Sequence, residues 1–72
     1  LELPERTAVE VSVYDTLGRR VTTLVRGERD AGSHVLAWDG RDLRGAVVAG
    51  GVYFVRLRTP YVTATEKVIR RR

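Results

Sequence analysis

An all-β sandwich of short antiparallel strands is the fold this 72-residue chain predicts, and three features of the sequence predict it. Val9, Val11 and Val13 alternate with Glu10 and Ser12, the period-two pattern of a strand with one face in a core and the other in water. Glycine and proline punctuate the chain at short intervals and mark turns between segments of strand length. No segment carries apolar residues at helical spacing. Short strands separated by turn signals, about six to seven of them with no helix between, read as a sandwich.

The elements follow in order. Residues 8–15 form the strand that carries the valine alternation, and Thr16-Leu17-Gly18-Arg19 turns the chain, with Gly18 taking a positive φ that other residues adopt at a cost. Residues 20–25, rich in β-branched side chains, return as the hairpin partner. Residues 26–32 are charged and contain Gly27 and Gly32, which predicts a surface loop. Residues 33–38 predict a third strand, with His34, Leu36 and Trp38 on one face and Val35 and Ala37 on the other. Residues 39–50 make the longest irregular connection, with a short strand expected around 46–48. Gly51–Arg58 is expected as a strand that turns Tyr53, Val55 and Leu57 inward. Thr59-Pro60-Tyr61 is a turn, because proline fixes φ, lacks a donor and pushes its predecessor toward extended geometry. Residues 62–70 close the chain as a last strand paired with Gly51–Arg58.

Composition narrows the function. A chain of this size is one domain with one thin core, since such domains bury only about 60% of their unfolded surface, and a deep catalytic cavity is not expected. There is no cysteine, so neither a disulfide nor a thiolate metal site holds the fold. No run approaches the roughly 18 to 20 consecutive apolar residues of a membrane-spanning helix. The chain opens in mid-pattern on Leu-Glu-Leu-Pro, which predicts a piece trimmed from a longer polypeptide, with any export signal upstream.

Four constellations of side chains bear on chemistry. Ser33 and His34 are neighbours on a predicted strand and point to opposite faces, so they do not assemble a hydrolase triad; no catalytic residue and no cofactor is expected. Asp39 and Asp42, beside Gly40 and Gly45, lack the alternate oxygen ligands and closing glutamate of a helix-loop-helix calcium site, so the reading is a loop held by carboxylates accepting backbone N–H bonds, and no metal. The net charge is +4 and Arg70, Arg71 and Arg72 form a basic run. Without aromatic stacking partners beside it, that run reads as a solvated tail shielding an edge strand rather than a nucleic-acid contact. Trp38 reads as a packing anchor, with a carbohydrate-stacking platform as the alternative.

Taken together, Leu3-Pro4, Val13-Tyr14-Asp15-Thr16-Leu17-Gly18-Arg19, Val21, Leu24, Ala31-Gly32, Trp38-Asp39-Gly40-Arg41-Asp42, Gly45, Gly51-Val52-Tyr53-Phe54 and Lys67-Val68 form an ordered set. That set resembles the type A C-terminal sorting domain of proteins exported by the type IX secretion system. The stretch from Trp38 to Leu57 also resembles the immunoglobulin-like domain of the flagellar hook-cap protein.

The resemblance implies an immunoglobulin-like sandwich in which Tyr14, Asp15, Gly18, Arg19, Gly32, Trp38, Asp39, Gly40, Gly45, Gly51 and Tyr53 are structural. For a sorting domain it implies a label that is not an enzyme. Its partners would be the cargo domain of the same polypeptide, an outer-membrane translocon and a sortase-like peptidase. The domain would pass through the periplasm, reach the cell surface or be secreted, and be removed. The last strand would add to a receptor's sheet, which makes Lys67, Val68, Ile69 and Arg70 the candidate recognition segment; the competing reading has Val68 and Ile69 fill the core. A structural module like the hook-cap domain, or a carbohydrate-binding accessory module, are the alternative functions.

Overall fold

Val9, Val11 and Val13 all leave one strand on the same side, and that side is the core: their side chains are at most 3% exposed. The computed structural model describes residues 1–71 and is all-β among them. Its strands are β1 (Glu2–Leu3), β2 (Thr7–Tyr14), β3 (Arg20–Arg29), β4 (Gly32–Ser33), β5 (Gly51–Arg58) and β6 (Thr63–Arg70).

Four strands make one antiparallel sheet in the order β3-β2-β5-β6, and β1 pairs with β4 in a second, two-stranded sheet. The arrangement is an immunoglobulin-like antiparallel sandwich. Register aligns the inner face in rows: Val25, Val11, Leu57 and Ala64 form one, and Thr22, Val13, Val55 and Glu66 the next. The small sheet supplies the other half of the core, where Leu3 joins Val9, Val11 and Val25, with Leu24, Leu36, Val55 and Leu57 packed around them. Each fully buried side chain among them stabilises the fold by roughly 1.5–3 kcal/mol and the half-buried ones by less, and with no disulfide this burial carries the structure.

The outer face of β2 is closed as well. Ser12 is 1% exposed although it points away from the core, because Thr23 and Arg56 flank it in register and its hydroxyl meets the Thr23 hydroxyl at 3.4 Å. Arg56 lies 4.5 Å from the centre of the Tyr14 ring and donates to its hydroxyl at 2.6 Å, roofing that region. Glu10 sits between Arg26 and Arg58 on the same face.

Three expectations about the elements are corrected. The segment 26–32 is not all loop: β3 runs on to Arg29, because Glu28 and Arg29 pair with Ala8 and Thr7 and because Arg6 holds Glu28 at 2.9 Å and also pairs with Asp30. Those two carboxylates raise the Arg6 pKa. The predicted strand 33–38 is regular only at Gly32–Ser33, although the expected alternation survives, with Leu36 and Trp38 half-buried and Val35 exposed. A ladder needs a neighbour, and beyond the reciprocal Leu1–His34 backbone bonds this segment has none among the described residues. Around 46–48 there is a single bridge, Arg41 with Val47, instead of a strand. β1 carries too short a pattern to be predicted.

Candidate functional site

β6 is the outer strand of the larger sheet, so one side of its backbone pairs with β5 and the other faces solvent among the described residues. The candidate recognition residues divide by face. Val68 and Arg70 are half-buried, whereas Lys67 is exposed and Ile69 is 60% exposed. Val68 is therefore the more covered of the two apolar side chains and Ile69 the more exposed. Arg71 is exposed, and Arg72 lies outside the described residues.

Beside the inner face of β6 runs an open groove of about 600 Å³ bordered by Leu36, Trp38, Val55, Leu57, Val68 and Arg70. It exists because the small sheet covers β2 and β3 and leaves β5 and β6 partly bare. Glu66 projects into this side from the row of Val13 and Val55.

The C-terminal end of β6 is braced by the loop at 38–41. The Arg70 guanidinium lies 5.8 Å from the centre of the Trp38 ring and covers Gly40. Gly40 is buried and has φ +77, a backbone conformation that L side chains rarely adopt, and a Cβ there would oblige the flexible Arg70 guanidinium to move aside. Trp38 meets Tyr53 edge to face at 5.1 Å and donates its indole N–H to the Arg41 carbonyl at 3.0 Å. The Tyr53 hydroxyl donates back to the Ala49 carbonyl at 2.7 Å, a device by which immunoglobulin-like sandwiches fix a strand entry. Trp38 thus acts as an anchor, one face of its ring shared with Arg70.

The loop is shaped by its own carboxylates. Asp39 accepts from the Arg41 N–H at 3.1 Å, and one oxygen of Asp42 accepts from the Arg44 and Ala46 N–H groups at 2.9 and 3.0 Å. Arg41 donates to the Gly45 carbonyl and Leu43 N–H to the Val21 carbonyl, tying the loop to itself and to β3. No cluster of three or more histidine, cysteine or acidic residues suited to a metal occurs among the described residues.

The same end of the sheet, across β5 from Arg70, holds the turn after β2. One Asp15 oxygen accepts from the Leu17 and Arg19 N–H groups, and the other pairs with the Arg19 side chain, all at 2.9 Å. These donors, the Arg19 N–H foremost, lower the Asp15 pKa below its ordinary 3.8. Gly18, at φ +80, makes the turn. Gly32, Gly45 and Gly51 also carry positive φ, and no other part of the candidate set is brought into this turn. Ser33 donates to Glu2 at 2.6 Å and the His34 ring meets the Asp30 carbonyl at 2.7 Å, so the two side chains are separately engaged.

A family comparison adds the decisive observation: residues 2–61 match the model of the FlgD Ig-like domain. The chain belongs to that family. Of the two resemblances in the sequence, this is the hook-cap one, and it reaches beyond the stretch from Trp38 to Leu57 on which that likeness rests. None of the curated proteins and no solved structure matches the chain. In this FlgD Ig-like domain the match takes in the turn at Gly18, the braced loop and β5, and it ends at Tyr61, before β6 begins. Sequence reasoning missed the Arg70 brace on Gly40, for which Trp38-Asp39-Gly40 was the available signal, and the pairing of Glu2 and Leu3 with Ser33 and Gly32.

Proposed function

We propose that this FlgD Ig-like domain is a non-catalytic structural module that acts by contact with other proteins, and that its contact surface is the open edge of β6. The observation that carries the reading is a strand of eight residues at the border of a sheet, braced at Arg70 and unpaired on its outer side among the described residues. Such an edge offers backbone groups to an incoming strand while alternate side chains discriminate between partners. The separate engagement of Ser33 and His34 supports the absence of catalysis.

A second reading is favoured by one observation, that Lys67, Val68, Ile69 and Arg70 lie on this edge and beyond the matched span. In it the module is a C-terminal sorting domain of the type IX system, recognised by an outer-membrane translocon through β6 and removed by a sortase-like peptidase at the cell surface. Cargo would precede it in the same polypeptide.

One experiment separates the two. The segment, with its native upstream residues, is fused to a periplasmic reporter in a host with a working type IX system. Reporter retained in the periplasm supports the structural module. Reporter displayed on the surface, and lost from it when residues 67–72 are deleted, establishes sorting and overturns the first reading.

A further inference from the structure

Along β6 the register sets Ala64, Glu66, Val68 and Arg70 on the inner face and Thr65, Lys67 and Ile69 on the outer face, with Ile69 also bordering the groove. Joining two copies of this edge antiparallel requires a two-fold axis normal to the sheet, which keeps the groove side continuous with the groove side. The axis then passes through one residue, and every residue meets a residue of its own face. Few registers remain. Centring on Glu66 sets two carboxylates against each other, and centring on Lys67 sets two ammonium groups against each other; like charges directly opposite are destabilising.

Centring on Val68 is different. Val68 meets its own copy, Glu66 lies opposite the second Arg70, and Arg70 lies opposite the second Glu66. On the outer face Lys67 lies opposite the exposed Ile69 of the other copy, where its aliphatic stem covers the apolar side chain while the ammonium stays in water. Among the described residues, none of Glu66, Lys67 and Arg70 makes an ion pair within its own chain.

We propose that the chain forms a two-fold dimer through β6, with Val68 on the axis and two reciprocal Glu66–Arg70 ion pairs. This rests on β6 being a docking edge and names a second copy as the occupant.

The test is sedimentation velocity over a wide concentration range. The wild-type chain is expected to approach twice its monomer mass as concentration rises. Glu66→Arg and Arg70→Glu each place like charges opposite one another and are expected to be monomeric. An equimolar mixture of the two restores both ion pairs and is expected to dimerise, as is the doubly substituted chain by itself. Independently of these charges, Val68→Cys, in a chain with no other cysteine, is expected to oxidise to a disulfide-linked dimer because facing residues in such a ladder lie within disulfide reach, whereas Thr65→Cys stays monomeric. A wild-type chain that stays monomeric throughout, a mixture that fails to recover, or equal cross-linking at Val68 and Thr65 would overturn the dimer. A monomer leaves the reporter fusion to decide the function by itself.

Discussion

The Arg70 guanidinium lies 5.8 Å from the centre of the Trp38 ring, and through this contact the last strand is fastened to a loop that precedes it by some thirty residues in sequence, a non-local link of the kind that slows the folding of β sandwiches. Gly40 lies directly beneath the guanidinium, where a side chain would require Arg70 to shift.

That geometry predicts the behaviour of Gly40→Ala. The new methyl group would sit where Arg70 packs, at a φ that L-residues adopt under strain, and the expected loss is on the order of 1–3 kcal/mol. A lower urea midpoint with an unchanged slope is the expected record. An unshifted midpoint would mean that the brace contributes nothing.

Two valines should separate core from surface. Val11→Ala empties space at a position 1% exposed, and its two methyl-equivalents together with the residual cavity predict a loss of about 2 kcal/mol. Val35→Ala alters a side chain 97% exposed and should change stability by less than about 0.5 kcal/mol. Paired chemical denaturation curves compare them directly.

Acid should act through the turn after β2. The folded-state pKa of Asp15 lies below 3.8, its ordinary value, so its contribution is fully present above 3.8 and is lost as pH falls through the lower folded value. Melting curves recorded on both sides of pH 3.8 should show wild-type stability falling on the acid side, and Asp15→Asn should flatten that fall. A variant that loses stability with pH as steeply as wild type would remove Asp15 from the account.

The Tyr53 hydroxyl offers a further check. Tyr53→Phe removes the bond to the Ala49 carbonyl while keeping the ring contact with Trp38, and a loss of about 1 kcal/mol is expected. Trp38 fluorescence should remain near that of wild type, since the ring packing is preserved; a large spectral shift would show that the hydroxyl positions the ring pair.

What the sequence determined by itself were the features written in local pattern. The valines of β2, the turn at Gly18, the strand Gly51–Arg58, the turn at Pro60 and the closing strand are all legible, because period-two alternation and turn chemistry act over a few residues. The carboxylate caps of the loop at 39–46 were legible for the same reason. Tertiary structure alone decided the rest. Whether His34 to Trp38 becomes a regular strand depends on a neighbour to bond with, and how far β3 extends depends on Thr7 and Ala8 across the ladder. Which of Val68 and Ile69 is the more covered, and which glycine lies beneath Arg70, are set by strand order and register. A chain can encode alternation residue by residue, but the partner of each backbone group and the covering of each face are fixed only when distant segments meet.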